Sequence, residues 1–404
     1  MKILFYLIRY PGVGGIETVT SLVAGALALK GESVSILSFL GGGEASEVVP
    51  AGAGFGPGSS SGFGSDPESG PDSRAIRLFT MPDREERLWL SKRNRAYAEK
   101  IVREGLFDAI IFQDSYAPIE SIICSLAQKY AVPLYVFEHN TPLRVLKDLT
   151  FRPVLSLDGL KRRAVLPKWL VKDIVRKRRL YKCCHKYVLL SRSFIPDFCR
   201  LARIGARQRD KLAYLNNPVA PLRRSVDIKA KEKIVLCVCQ MADRKRVDLM
   251  LSMWKDVYPA HPDYRLVLVG DGSELEALKS YARKLALQGC EFVGYADPSE
   301  YYRRSRVFWM TSAFEGWGMT LVESMQAGCV PVVYDTFSSL GDIVDDGING
   351  FAVKDLDRKD FIRKTTGLME EEQLFERMSS EARLKADSFS LDTIISRWRQ
   401  LLEQ

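Results

Sequence analysis

The sequence predicts an α/β protein built on two parallel sheets, and three observations carry that prediction. Strand-like apolar runs alternate with helix-like segments along almost the whole chain, the rhythm that places helices on the faces of parallel sheets. Runs such as ILFYLI (3–8) are continuously apolar, as a strand buried on both faces must be. A length of 404 residues exceeds one ordinary domain and suits two.

In chain order, the first strand at 3–8 is followed by a helix at 16–30 and a strand at 33–38. FDAIIFQ (107–113) and PLYVFE (133–138) repeat the pattern. A second series of strands comprises KIVLCVC (233–239), YRLVLVG (264–270), CEFVG (290–294), VFWMTS (307–312) and VPVVYD (330–335), with helices between them at 272–287 and 319–327. A last helix spans 390–403. Residues 39–74 are rich in Gly, Ser and Pro and show no periodicity, so they read as a mobile surface loop within the first domain. LNNPVAP (215–221) is a turn-rich connector and marks the domain junction. The opening MKILFYLIRY runs straight into PGVGGIE without a small-residue cleavage site, which favours a buried strand over a signal peptide.

Composition narrows the class. The chain is 46% hydrophobic and 27% charged, as folded globular proteins are. No stretch approaches the ~20 apolar residues of a transmembrane helix. The eight cysteines form no paired framework and no Cys/His cluster, so neither structural zinc nor disulfides are expected, and reduced thiols point to the cytoplasm. Residues 141–210 hold 19 basic and 5 acidic residues, a net of +14 against +9 for the whole chain. One local basic surface therefore carries the whole excess and calls for an anionic partner. Within it, 161–186 mixes Leu, Val and Trp169 with dense Lys and Arg. Lys161, Arg162, Arg163, Lys168, Trp169, Lys172, Arg176, Lys177, Arg178 and Arg179 suit an anionic membrane surface. A solvated helix face would have the same composition. Nucleic acid is not expected, because stacking aromatics are sparse and no reader motif is present.

Several turns carry candidate chemistry. GVGGIE (12–17) follows the first strand and opens a helix, so Gly14 and Gly15 can let backbone approach an anion. The third glycine of a dinucleotide fingerprint is replaced by Glu17, and the same turn could be purely structural. CVCQMADRKRVDLML (237–251) sets Lys245 just before a helix, where it can meet phosphate as a point charge or simply be solvated. LVGDGSELEAL (268–278) reads as structural, with Asp271 or Ser273 capping its helix. Asp355-Leu-Asp357 spells DxD but sits just before a helix and reads as a cap and loop rather than a metal site. EGWGMTLVE (315–323) holds two glutamates with seven residues between them. If the helix starts near Met319, Glu323 lies roughly 6 Å along its axis. Amides of Gly318, Met319 and Thr320 then fall between Glu315 and Glu323. An anion flanked by two carboxylates, each able to accept from hydroxyls, describes a nucleoside diphosphate sugar.

Five features in order resemble the family 4 retaining glycosyltransferases of GT-B fold. They are the GG-x-E start, the NPV linker, a lysine after the first strand of the second domain, E-x7-E, and a closing helix with Trp398. The resemblance covers nearly the whole chain apart from 39–74 and the basic region. It implies two Rossmann-like parallel-sheet domains facing across a cleft, 1–215 plus 388–404 on the acceptor side and 216–387 on the donor side. It also implies roles. Glu315 touches donor-sugar hydroxyls, and Glu323 holds the ribose. Gly14, Gly15 and the backbone from Gly318 through Met319, Thr320 and Leu321 meet the diphosphate, with Lys245 neutralising it. His139, in FEHNTP, stands near the donor sugar, and Asp114 and Glu17 face the acceptor. The family often has Arg at the position of Gln240; either Arg244 or Arg246 substitutes for it, or the leaving diphosphate is less well stabilised here.

The resulting expectation is a metal-independent enzyme without cofactor. It moves a hexose from a UDP- or GDP-linked donor to a lipid-diphosphate-linked saccharide with retention, in surface-polysaccharide synthesis such as capsule or lipopolysaccharide. It would work as a peripheral protein on the inner face of a bacterial plasma membrane. A nucleotide-sugar epimerase or hydrolase of the same fold, or a non-catalytic sugar-nucleotide binding protein, is the alternative.

Overall fold

The structure is a computed structural model of the 404-residue chain. It describes all residues except 13, 42–45, 51–74, 115–118, 152–156 and 223, and only the backbone of 46–50, 114, 157 and 158. Two compact units result: Met1–Val145 with Val165–Pro218 and Leu391–Gln404, and Leu146–Ala164 with Val219–Ser390.

The first unit contains β1 (Lys2–Arg9), β2 (Ser33–Leu40), β3 (Ser46–Pro50), β4 (Ala75–Thr80), β5 (Ala109–Asp114), β6 (Leu134–Glu138), β7 (Lys186–Leu189) and β8 (Leu212–Tyr214). Their order in the sheet is β3-β4-β2-β1-β5-β6-β7-β8, parallel except for β3. Ile3 to Leu7 are essentially inaccessible, which explains why β1 shows no polar alternation. The reading of 39–74 as one loop is corrected at its start and over Ser46–Pro50. β2 runs on to Leu40, and Ser46–Pro50 pairs antiparallel with β4, Ser46 opposite Phe79 and Pro50 opposite Ala75. A proline is tolerated there because β3 is an edge strand. The rest of that expectation, 42–45 and 51–74, lies outside the described residues.

The closing helix Leu391–Leu402 belongs to this unit. Trp398 is buried and lies flat on Phe137, with ring centroids 4.1 Å apart and planes 4° apart.

The 27-residue helix Leu157–Cys183 turns one face inward. Lys177 is wholly inaccessible, its Nζ 2.7 Å from Glu138 Oε1 and 3.0 Å from Asp173 Oδ1. Tyr187 donates to the other Glu138 oxygen at 2.8 Å. Lys177 is therefore removed from the predicted membrane surface, since a buried ammonium needs its partners more than an external anion. Arg176 also turns toward the protein, 3.7 Å from Glu120. The expectation of wholly reduced thiols is corrected as well. Cys124, on helix Glu120–Lys129, forms a disulfide with Cys183 across a Cα separation of 6.0 Å. The inference of a reducing compartment loses that premise.

The second unit contains β9 (Glu232–Val238), β10 (Arg265–Val269), β11 (Cys290–Gly294), β12 (Ser305–Met310), β13 (Val330–Asp335) and β14 (Phe351–Lys354). They run parallel in the order β11-β10-β9-β12-β13-β14. Trp254, Trp309, Tyr334 and Phe361 fill its core, and the Trp309 indole donates to Thr365 Oγ1 at 3.0 Å. The expected cap of the 272–287 helix is not found. The helix starts at Leu275, has no side-chain cap, and Asp271 instead accepts from the Gly272 amide at 2.6 Å.

Each sheet reverses its strand order once, between β1 and β5 and between β9 and β12. Open α/β sheets bind ligands beyond the carboxyl ends of strands at such a reversal. Gly14, Lys245, Glu315 and Gly318 lie on the loops that leave β1, β9 and β12, Asp114 ends β5, and His139 follows β6.

Candidate active site

In the second unit the loop after β9 and the loop after β12 are tied together before any ligand is considered. Ala313 N–H donates to Arg244 O at 2.8 Å, and Thr311 Oγ1 donates to the carbonyls of Lys245 and Arg246 at 2.9 and 3.0 Å. Arg246 closes the clamp, donating to Thr311 O at 2.7 Å and to Asp355 at 2.7 Å. Arg246 is thus committed to the loop and is corrected as a stand-in for a phosphate-binding arginine at position 240. Arg244 fits better. Its guanidinium is 4.0 Å from Glu315 and 3.5 Å from Gln240 Oε1, and a third of the side chain is exposed. Asp355 pairs with Arg246, and Asp357 caps helix Arg358–Glu370 by accepting from the Asp360 amide at 3.1 Å, so the DxD is a structural loop and cap.

Glu315 is almost enclosed, and its carboxylate takes the ammonium of Lys245 directly. Burial pushes the acid up, but Lys245, Arg244 and a Ser312 hydrogen bond outweigh it and hold Glu315 below the usual carboxylate range. Helix Met319–Gln326 then begins. Gly318 precedes it at φ 88°, a left-handed conformation that glycine adopts without strain. No side chain caps this start. The Leu321 amide is removed from the predicted diphosphate contacts, because it donates to Gly318 O at 3.0 Å. The Met319 and Thr320 amides precede any intrahelical acceptor and keep the anion-attracting character of a helix start.

Glu323 sits one turn further on. Its Oε2 accepts from the buried Tyr302 hydroxyl at 2.9 Å. Burial raises the Glu323 pKa, and the Tyr302 bond only partly opposes this. Tyr302 was not singled out in the sequence, because a tyrosine on helix Ser299–Arg304, in PSEYYRR, shows no motif.

In the first unit, Gly14 precedes helix Gly15–Leu29 after β1, and Gly15 opens it. Glu17 folds back over this start, and a Cβ on Gly14 would overlap its carboxylate. Glu17 thus lies against its own helix start, a place that suits a carboxylate. His139 is 9% exposed just beyond β6, and its Nε2 meets the side-chain oxygen of Gln113 at the end of β5. Gln113 is wholly inaccessible and passes unnoticed in the apolar run FDAIIFQ. Asp114 ends β5, and its side chain lies outside the described residues.

On helix Leu157–Cys183 the exposed residues include Lys161, Lys168, Trp169, Lys172, Arg178 and Arg179, with Val165, Val171 and Val175 exposed among them. Arg162 and Arg163 are half-buried. Among the described residues, no helix is long and apolar enough to cross a membrane, and no cluster of His, Cys, Asp or Glu could hold a metal ion.

Residues 220–385 match the family model for glycosyl transferases group 1. That match lies within the second unit. An uncharacterised glycosyltransferase of Haemophilus influenzae is 27% identical over 188 residues, 46% of this chain and 53% of the relative. An amylovoran biosynthesis glycosyltransferase of Erwinia amylovora is 29% identical over 184 residues, 45% of this chain and 51% of the relative. The chain thus spans about half the length of these curated relatives. Among solved structures, Anabaena HepE, crystallised with UDP and glucose, superposes with a TM-score of 0.70 at 16% identity, covering 100% of this chain and 99% of its own. The likeness is one of fold: two parallel-sheet α/β units, as in GT-B structures.

Proposed function

We propose that this protein is a glycosyltransferase that takes a hexose from a nucleotide-sugar donor. The carrying observation is the uncapped start of helix Met319–Gln326, bordered by the Lys245–Glu315 pair on the loop side and by Glu323 one turn inside. The donor diphosphate lies on the Met319 and Thr320 amides, with Lys245 and Arg244 countering its charge. Glu323 takes the ribose hydroxyls, and Glu315 the sugar hydroxyls. Transfer leaves negative charge on the departing nucleoside diphosphate, and fixed positive groups there stabilise it. Those two cations and the helix start supply that stabilisation without a metal ion. In the first unit His139, held by Gln113, is the candidate for sugar contact in this reading, and configuration is retained. UDP is the favoured nucleotide, the one bound by Anabaena HepE.

The acceptor in this reading is a lipid-linked saccharide of polysaccharide synthesis, the field in which the Erwinia relative works. The exposed Lys, Arg, Val and Trp169 of helix Leu157–Cys183 fit the headgroup level of an anionic membrane.

Calorimetric titration with UDP, GDP and ADP, followed by a donor panel with and without acceptor, tests the reading. UDP should bind, and Glu323→Ala should weaken it by about tenfold or more, a loss of about 1.4 kcal/mol. Unchanged binding in that variant would refute the ribose placement. Acceptor-independent turnover of the donor would instead mark a hydrolase, if sugar is released, or an epimerase, if the nucleotide sugar is isomerised.

A further inference from the structure

β9 ends at Val238, and a cysteine stands on either side of that end. Cys237 is 2% exposed in the core of the second unit, whereas Cys239 is partly exposed. Residues two apart on an extended chain share a face. The two thiols accordingly lie side by side, with Cys237 donating to Cys239 over 3.7 Å. The backbone at Cys239 is fixed. Its amide donates to Val269 O at 3.1 Å, and its carbonyl packs so closely on Gly270 that a Cβ there would overlap it. The loop that carries Arg244 and Lys245 begins at the next residue, and both cations act on the Cys239 sulfur.

We propose that Cys237 and Cys239 form a hydroperoxide-reactive dithiol, with Cys239 oxidised first and Cys237 resolving it. The Cys239 thiolate attacks one peroxide oxygen and the O–O bond breaks. Cys239 becomes a sulfenic acid, and the other oxygen leaves as water or an alcohol. Cys237 sulfur then attacks Cys239 sulfur and releases the sulfenic oxygen as water. In sum, two thiols lose two hydrogens and one peroxide is reduced. The sulfurs close from 3.7 Å to about 2.0 Å, and because the residues are two apart on extended chain their Cβ atoms must also draw together to about 3.8 Å. The division of labour follows from the surroundings. Thiolate is the reactive form, and the Cys237 hydrogen bond, aided by Lys245 and Arg244, holds Cys239 below the ordinary thiol range against burial and the Glu315 carboxylate. Cys237 is pushed the other way. Cys290 is a built-in control: it is also partly exposed, but burial and Glu291 push its thiol up to about 12.

Closing the bond draws in the side chain at the root of the loop that carries Lys245. Oxidation should therefore weaken nucleotide binding, a consequence that rests on the donor site proposed above.

Trypsin releases both cysteines in one peptide, 234–244, which contains no other cysteine. Native protein is treated with graded hydrogen peroxide, alkylated and mapped. The expected result is a peptide lighter by two hydrogens that loses both alkylation sites together, with Cys290 still alkylated and dithiothreitol restoring both sites. Cys237→Ser should trap Cys239 as a dimedone-reactive sulfenic acid. Oxidation of Cys239 no faster than Cys290, or its passage to sulfinic acid in the unmodified protein, would overturn the proposal. UDP titration of both redox forms separates the two layers. Weakening by about tenfold on oxidation is expected, and equal binding by both forms would overturn the coupling to the loop. Failure of the reduced form to bind UDP would count against the donor-site reading, leaving the peptide result to judge the dithiol.

Discussion

The two ends of EGWGMTLVE place the same side chain in opposite surroundings. Glu315, on the loop, is held ionised by Lys245, with Arg244 at 4.0 Å. Glu323, on the helix, has a neutral phenol as its hydrogen-bond donor, and burial favours its protonated form. One acid is half of an ion pair, which in the proposed donor site an incoming diphosphate would share. The other is a hydroxyl acceptor whose charge the site tolerates rather than compensates. Equal residues at a fixed spacing therefore need not do equal chemistry.

Breaking the ion pair is the strongest way to test this contrast. Lys245→Met leaves Glu315 enclosed with the Ser312 hydrogen bond and, as its one nearby cation among the described residues, the more distant Arg244. Removing one partner of a buried pair costs about 3–5 kcal/mol, and the low end is expected here because Arg244 remains. Urea denaturation should show this loss, and Glu315→Gln in the same chain should restore most of it. If Lys245→Met and the double variant are equally unstable, the pair does not govern the loop.

Tyr302→Phe attacks the other end. It removes a hydrogen bond to a buried carboxylate and should cost about 1.5–3 kcal/mol, with the donor KM rising more than kcat falls. A change in kcat alone would mean that Tyr302 does not position Glu323 for the donor.

The smallest effects, and the sharpest in sign, lie in pH dependence. The folded-state pKa of Glu315 is lowered. Its contribution is therefore present above the unfolded-state pKa and lost as pH falls through the folded value. The stability advantage of the native chain over Glu315→Gln should shrink on acidification. The folded-state pKa of Glu323 is raised, so its contribution is present below the unfolded-state pKa and lost as pH rises through the folded one. Glu323→Gln should gain on the native chain as pH rises. Parallel slopes for the two variants would abolish the contrast.

How much of this was legible depends on whether the signal was local. The strand–helix rhythm, the start of helix Met319–Gln326 and the capping role of Asp357 are local patterns of apolarity, glycine and short polar side chains, and the structure repeats them. β3 escaped because a five-residue edge strand ending in Pro50 inside a Gly/Ser/Pro-rich stretch has almost no periodicity. Lys177 was misplaced because a dense Lys/Arg run looks uniformly exposed. Its i,i+4 relation to Asp173, with Leu180 on the same face, was the available clue. Nothing in cysteine spacing relates Cys124 to Cys183, which are 59 residues apart.

By itself the sequence determined two parallel-sheet units and a helix start between two glutamates, because those follow from periodicity and turn chemistry within a dozen residues. Only the tertiary structure decided what each acid meets. Lys245 reaches Glu315 from 70 residues away because β9 and β12 are neighbours in the sheet. Tyr302 reaches Glu323 because helix Ser299–Arg304 packs beside helix Met319–Gln326. A carboxylate's charge state is set by burial and by the nearest charge or donor, and strand order, which brings those neighbours close, is a property of the whole sheet.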